Sequence, residues 1–218
     1  MTFEAERAAA RDVDVADIAD AIESIGFECT RCGHCCRGLG EAEHTATVFP
    51  DEIREIQRDG ADNWRDVARP MPFGLSETDG EPTTGETFEW ALQTDACGDC
   101  TFYDDESEAC SIYDRRPLIC RTYPFSLSIE DEGDGTTSPM GSVVDRAGPV
   151  HAHECEGLGR DISREDAEEL AATLKRRAIR EREEAIGVRD NYEPRDVDGV
   201  VVHDSEGQKR PDGTPISE

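Results

Sequence analysis

Apolar positions near the start of the chain recur with a helical period. Ile18, Ile22 and Ile25 are spaced to lie on one face of a helix, and Gly26 follows as a stop signal. The spacing predicts a helix over about residues 14–25.

Shorter patterns follow in the next part of the chain. Thr45–Phe49 reads as a short strand, and Pro50 is a typical first residue for a helix that ends near Arg58. The proline- and glycine-rich residues 70–86 predict a loop. A second strand is predicted over Thr87–Gln93.

The clearest amphipathic pattern lies in the C-terminal third. Ser163 and Asp166 form a capping-box-like start, and small and apolar residues then recur on one face. The pattern predicts a helix to about Ile186 that Gly187 ends. Beyond residue 188 the chain is polar, and only Val200–Val202 predicts a short strand.

The net charge of the chain restricts the classes of partner that it can bind. The chain of 218 residues has 51 Asp and Glu against 23 Lys and Arg, a formal net charge of −28. In concentrated salt the Debye length falls to about 3 Å and self-repulsion is screened, so we expect a halophile's cytoplasmic protein. The alternative is an acidic disordered interaction protein. The cysteine motifs described below are typical of a folded domain and disfavour this alternative. The sequence has no stripe of basic residues that could contact phosphates, so we expect no binding to nucleic acids or anionic membranes.

The composition also predicts that the fold is stabilised by something besides its hydrophobic core. Apolar residues make up 36% of the chain, and nine residues are cysteine. The first residues have no apolar segment typical of a secretory signal, and no apolar run approaches the roughly 20 residues of a membrane helix. We therefore expect a reducing compartment, where cysteines bind metal or catalyse rather than form disulfides.

The cysteines form two groups. The first has the spacing C-x2-C-x2-C-C, in which a turn can direct neighbouring sulfurs at one metal: Cys29, Cys32, Cys35 and Cys36. The second group is Cys97, Cys100, Cys110 and Cys120, with Cys155 further on. Together they can supply two four-sulfur sites or one polynuclear site, with one cysteine left over. Zinc and iron–sulfur clusters both accept such ligands.

Cys35 and Cys36 are adjacent, and the side chains of neighbouring residues diverge. One mononuclear tetrahedral site would use both only with strain. We infer that the two serve different centres or that one of them bridges two metals.

Charged residues near these cysteines are candidates for supporting roles. Arg116 and Arg121 flank Cys120, and their guanidinium groups can offset thiolate charge and hydrogen-bond sulfur at a bound cofactor. Pairing with surface carboxylates is the alternative. His34, His151 and His153 lie near cysteines, but the supply of thiolates makes us expect surrounding roles for them rather than ligation.

The cysteine motifs resemble those of the YkgJ-like CxxCxxCC family, which is named for zinc or iron chelation. The matching elements are Phe27-x-Cys29-x2-Cys32-Gly33-x-Cys35-Cys36-x-Gly38, Cys100-x-Phe102, Cys110-x-Ile112-Tyr113-x2-Arg116-Pro117-x2-Cys120-Arg121-x2-Pro124-Phe125, and Cys155 with Gly157. The resemblance covers roughly residues 27–157. It implies eight metal ligands: Cys29, Cys32, Cys35, Cys36, Cys100, Cys110, Cys120 and Cys155. Cys97 falls outside the pattern and is expected to be the spare thiol.

The predicted fold is α+β, a small irregular single domain with helices around a metal-stapled cysteine-loop core and short antiparallel strands. We assign residues 1–26 to an N-terminal helix and 27–187 to the metal-binding domain with its C-terminal helix. Residues 188–218 are expected to be a flexible acidic tail.

Three functions remain open from the sequence. The chain can hold an iron–sulfur or other iron site for electron transfer or cluster-dependent chemistry, use zinc to hold its fold, or store and deliver iron or zinc. Metal ions are the only partners that the residues indicate. No phosphate-binding loop or Ser/His/Asp arrangement is recognisable, so the residues leave an enzymatic activity open.

Overall fold

The computed structural model of the chain describes residues 2–38, 44–58, 63–78, 81–129, 142–194 and 198–216. Its helices within these ranges are α1 Phe3–Asp12, α2 Val15–Ile25, α3 Pro50–Gln57, α4 Trp64–Val67, α5 Leu118–Thr122 and α6 Arg164–Asn191. Its strands are β1 Thr47–Val48, β2 Ala68–Pro70, β3 Leu75–Thr78, β4 Glu81–Thr87, β5 Trp90–Leu92, β6 Tyr103–Asp104, β7 Ala109–Cys110, β8 Phe125–Leu127, β9 Val143–Ala147, β10 Val150–His153, β11 Val200–Asp204 and β12 Gly207–Lys209. The fold is α+β, as the sequence predicts.

The chain divides into two compact units. The first unit comprises Met1–Cys35 and Leu118–Glu183, and the second unit comprises Cys36–Pro117 and Glu184–Glu218. The residues of α6 as far as Glu183 therefore belong to the first unit. No helix in the described ranges combines the length and apolar content needed to cross a bilayer.

The first unit has a core built on α2. The helix begins where Asp14 accepts a hydrogen bond from the Ala16 N–H at 2.9 Å, and it ends at Gly26, whose φ is 76°. This confirms the predicted helix and its stop signal at Gly26. Its apolar face packs with the antiparallel sheet β8–β10–β9 and with one face of α6: Ile18, Ile22, Phe125, Val150, Ala152, Ala171 and Leu174 are buried there.

Helix α1 lies in the segment assigned to an N-terminal helix, ahead of the residues 14–25 that the apolar spacing predicts to be helical. Thr2 caps it by accepting a hydrogen bond from the Ala5 N–H at 3.3 Å. The helix buries Ala10 completely and is otherwise polar, so its sequence has little of the hydrophobic period that identifies a helix.

Among its described residues, the second unit contains three small sheets, with strand orders β1–β5–β2, β12–β11–β4–β3 and β6–β7. Pairing within them is antiparallel except between β11 and β4, which are parallel. Helix α3 begins at Pro50, as predicted. A buried polar group joins the sheets, because Asp204 accepts hydrogen bonds from the Trp90 indole N–H at 2.9 Å and from the Lys209 ammonium at 2.7 Å.

Several expectations for the second unit differ from the structure. Helix α6 continues through Gly187, where a Cβ would lie 2.5 Å from the Ser205 Cβ, so this glycine permits close packing rather than ending the helix. The stretch 70–86, predicted as a loop, contains β3 and β4.

The segment expected to be a tail contains β11 and β12. Val201 and Val202 are buried, and β11 pairs with β4. The partner strand β4 lies more than 100 residues earlier in the chain, so local sequence carries little sign of this pairing.

Candidate metal centre

Each unit contains part of the predicted ligand set. Five of the cysteines belong to the first unit: Cys29, Cys32, Cys35, Cys120 and Cys155. The other four belong to the second unit: Cys36, Cys97, Cys100 and Cys110. The division of the chain falls between the adjacent residues Cys35 and Cys36.

In the first unit, the backbone places the start of the first cysteine motif against the segment that carries Cys155. The Glu28 N–H donates to the Gly157 carbonyl oxygen at 3.0 Å. A Cβ on Gly157 would lie 2.3 Å from the Glu28 carbonyl oxygen, so only glycine permits this approach. Cys29 follows Glu28 directly, and Cys155 precedes Gly157 by two residues. The contact therefore brings the two cysteine-bearing segments together.

The thiols of this region interact electrostatically. Burial raises the pKa of the Cys155 thiol, and the nearby Cys35, Cys32 and Cys29 raise it further because like charges oppose ionisation. The Gly157 N–H, 3.4 Å from the Cys155 Sγ, acts in the opposite direction. Three cysteines of the first motif thus lie within electrostatic range of Cys155, which comes from a separate stretch of sequence.

Tyr123 borders the same group of thiols. Burial, followed by the negative charges of Cys155 and Cys35, raises the pKa of its hydroxyl to about 12. The hydroxyl donates to the Glu154 carbonyl oxygen, and the Tyr123 N–H donates to the Ile119 carbonyl oxygen in α5 at 3.0 Å. No local sequence pattern predicts that Tyr123 lies within electrostatic range of Cys155.

In the second unit, backbone hydrogen bonds join three of the predicted ligands. The Cys100 N–H donates to the Cys36 carbonyl oxygen at 2.8 Å. The Tyr103 N–H donates to the Cys100 carbonyl oxygen at 2.9 Å, and Tyr103 pairs with Cys110 across strands β6 and β7. Cys100 is 5% exposed, and the other two are partly exposed.

Within the described parts of the chain, no group of three or more His, Cys, Asp or Glu side chains is arranged closely enough to hold a metal ion. The donor chemistry of the candidate cysteines fits zinc and iron, because thiolates are the usual ligands of structural zinc and of iron–sulfur clusters.

The family comparison agrees with this donor set. Residues 28–141, more than half of the chain, match the family model CxxCxxCC, described as "Putative zinc- or iron-chelating domain". The chain belongs to the CxxCxxCC family. No curated protein and no solved structure that was compared gave a significant match. The matched segment includes seven of the eight predicted ligands, and Cys155 lies beyond it.

The two arginines singled out in this CxxCxxCC protein have different surroundings. The Arg116 guanidinium lies 3.8 Å from the centre of the Tyr113 ring, and its Nε donates to the Tyr113 carbonyl oxygen at 3.1 Å. Arg121 is exposed on α5, directly after Cys120.

The three histidines near cysteines lie in different environments. His153 is fully buried, and its Nε2 lies 2.8 Å from the Ser126 hydroxyl. Burial and the charge of Arg146 lower the pKa of His151. His34 is exposed in a short 3-10 turn, His34–Cys36, inside the first motif.

Proposed function

We propose that this CxxCxxCC protein binds metal through the eight thiolates of Cys29, Cys32, Cys35, Cys36, Cys100, Cys110, Cys120 and Cys155. Its principal centre is an iron–sulfur or other polynuclear site built from the five cysteines of the first unit. The observation that carries the proposal is the contact of the Cys29 segment with the Cys155 segment, which gathers thiols from distant parts of the sequence. Metal bound there would supply redox or structural chemistry that no described side chain provides.

The number of thiolates in the first unit favours a polynuclear centre. A single tetrahedral ion takes four ligands, and five cysteines belong to this unit. A [2Fe–2S] or [4Fe–4S] cluster also takes four cysteines, and a polynuclear site in which one thiolate bridges two metal ions can use the fifth. Cys35 and Cys36 fall in different units, which supports the hypothesis that they serve different centres.

Arg116 and Arg121 are proposed to offset the negative charge of the metal-binding thiolates. A cluster of thiolates carries negative charge in a protein whose formal net charge is already −28. Arg116 and Arg121, which flank Cys120 in the sequence, offset part of that charge. We assign the protein to the cytoplasm of a cell with concentrated internal salt, with metal ions as its partners and no role in nucleic-acid binding.

Anaerobic purification of the full chain tests this function. The expected product is brown, and iron and acid-labile sulfide are present in similar amounts. Cys32→Ser should lower the content of both iron and sulfide, because it removes one of the proposed thiolate ligands. Thr30→Ala changes an exposed neighbour in the same loop and should leave both unchanged. Equal iron and sulfide in wild type and Cys32→Ser would contradict the assignment.

Structural zinc is the second candidate, and a specific observation favours it. The apolar share of 36% is low, and structural zinc contributes about 10–16 kcal/mol of binding free energy in small modules. A colourless protein with tightly bound zinc and no sulfide would establish this alternative. Rapid, reversible loss of metal to a chelator with the fold retained would instead indicate iron or zinc storage and delivery.

A further inference from the structure

Three aromatic side chains from separate parts of the chain come together in the second unit. Phe88 follows β4, Tyr192 follows α6, and His203 lies in β11. The ring centroids are 5.2 Å apart for Phe88 and His203, 4.8 Å for Tyr192 and His203, and 5.9 Å for Phe88 and Tyr192. His203 is buried, whereas Phe88 and Tyr192 are 47% and 43% exposed. We call these three residues the aromatic platform.

Hydrogen bonds hold the end of α6 against the strands that carry the platform. The Asn191 side chain donates to the Ser205 carbonyl oxygen at 2.7 Å, and the Gln208 side chain donates to the Asn191 carbonyl oxygen at 2.6 Å. Strand β11 also pairs with β4, whose last residue precedes Phe88. The rings are therefore positioned before any ligand binds, which lowers the entropic cost of binding.

A carboxylate with weak contacts lies beside the platform. The Glu86 Oε2 accepts a long hydrogen bond from the Tyr192 hydroxyl at 3.5 Å, and its Oε1 lies 3.6 Å from the His203 Nε2. Neither ring nitrogen of the buried His203 has a hydrogen-bond partner among the described residues. Such unpaired buried groups are uncommon in folded proteins. Glu86 is partly exposed, so a donor from another molecule can reach it.

Aromatic surface next to a carboxylate favours a guanidinium group as the ligand. Aromatic faces attract cations, and arginine makes this contact more often than lysine. The planar guanidinium can stack on a ring and present paired N–H groups to a carboxylate. The three rings contact one another and leave no space between them, whereas sites for small molecules enclose most of the ligand. This open surface therefore suits an arginine that belongs to a larger partner.

We propose that the aromatic platform and Glu86 form a docking surface for an arginine-rich segment of a partner protein. The guanidinium stacks on the exposed rings of Phe88 and Tyr192 and donates to the Glu86 carboxylate. The formal net charge of −28 attracts basic segments in dilute salt, and the short-range contacts persist when concentrated salt screens that attraction. This inference goes beyond the proposed metal binding and does not depend on it.

Peptide binding to the full chain tests the proposal. The probe is a fluorescent peptide of alternating arginine and glycine, and its anisotropy is measured in about 2 M KCl, where attraction due to net charge alone is screened. Phe88→Leu and Tyr192→Leu keep apolar volume but lose the aromatic face, and each should weaken binding about tenfold. Glu86→Gln, which removes only the charge, should have a similar effect. Phe88→Tyr keeps the ring and should bind as the wild type does.

Phe3→Leu is the matched control, because Phe3 is an exposed aromatic residue of the first unit, and it should bind as the wild type does. A peptide with lysine in place of arginine should bind more weakly. Glu86→Gln decides the matter if a ring variant fails to fold.

Wild-type affinity in Glu86→Gln and the ring variants would overturn the proposal, as would binding that is seen only in dilute salt. Self-association of the full chain that Phe88→Leu abolishes would assign the surface to a second copy and would also overturn it. Metal content should be the same in all these variants, so failure of this proposal leaves the proposed function intact.

Discussion

At the scale of single residues, Gly157 has a role that no cysteine pattern reveals. Its missing side chain lets the Glu28 backbone approach, and that approach joins the Cys29 and Cys155 segments. The sequence identified Gly157 only as a member of the family motif. Its physical purpose depends on a contact across more than 120 residues of sequence.

Gly157→Ala should separate these segments. The added methyl group would lie 2.3 Å from the Glu28 carbonyl oxygen, and relieving that clash should lower the free energy of unfolding by about 1–3 kcal/mol. Bound metal should fall with it. Gly148→Ala is the control, because its φ of 52° costs about 1 kcal/mol but a Cβ there meets nothing within 4 Å. Unchanged metal content in Gly157→Ala would contradict the assigned role.

Glu206 gives a pH-dependent prediction. Hydrogen bonds from Arg54 and Lys209 lower its pKa from 4.5 to about 2. Since the folded pKa is depressed, the stabilisation is complete above about pH 4.5 and is lost as the pH falls toward 2. The side chain is 40% exposed, so solvent screening limits the effect to about 1 kcal/mol.

Chemical denaturation at several pH values measures this contribution. Glu206→Gln should be less stable than the wild type at pH 7 by that amount, and the difference should shrink between pH 4.5 and pH 2. Glu169→Gln, at an exposed position of α6, should show no such difference. A deficit for Glu206→Gln that stays constant over this range would show that the ion pairs are not its source.

At the scale of elements, the sequence predicted those helices whose apolar face and end residues can be recognised from neighbouring positions. Helix α2 has an apolar face and Gly26, and α3 has Pro50 at its first position. Strands β4 and β11 pair across more than 100 residues of sequence, and β3 and β12 are the hairpin neighbours of these two strands. Their polar and proline-containing stretches therefore read as loop or tail. Spacing indicated two groups of cysteines, and the family resemblance implied which eight of them are candidate ligands. Their division between two units depends on tertiary contacts that spacing does not encode.

Helix α5, which carries Cys120, is attached to α6 through one buried side chain. The Arg177 guanidinium donates to the Thr122 hydroxyl at 3.0 Å and to the Phe125 carbonyl oxygen at 3.2 Å, and it pairs with Glu181 at 2.7 Å. Arg177 is 6% exposed. Removal of a buried charged donor leaves its acceptors unpaired, which is among the costlier substitutions in a core.

Arg177→Met should therefore lower the free energy of unfolding by about 2–4 kcal/mol. The variant keeps much of the side-chain volume and loses the hydrogen bonds. Arg176→Met, one position away and exposed, should change stability by less than about 0.5 kcal/mol. Denaturant titration of the two variants provides the comparison, and equal stabilities would rule out an anchoring role for Arg177.

At the scale of the whole molecule, charge is the dominant property. A formal net charge of −28 on 218 residues produces strong self-repulsion in dilute buffer. Concentrated salt screens it, because the Debye length falls from about 10 Å at 0.1 M to about 3 Å at 1 M. Composition alone predicted this behaviour, since it depends on no particular contact.

The melting temperature should accordingly rise with salt. Thermal unfolding of the full chain in about 0.1 M and about 2 M KCl should give the higher midpoint at high salt. NaCl at equal ionic strength should act similarly if screening is the cause. A midpoint that falls with either salt would indicate that attractive ion pairs outweigh the net repulsion.

The central claim is that thiolates from separate parts of the sequence bind metal in this protein. X-ray absorption at the edge of the bound metal, on anaerobically purified full-length chain, measures its ligands directly. We expect a first shell of sulfur, at about 2.3 Å for zinc, with a metal–metal distance if the first centre is polynuclear. A first shell of nitrogen and oxygen, at about 2.0–2.1 Å for zinc, would contradict the account.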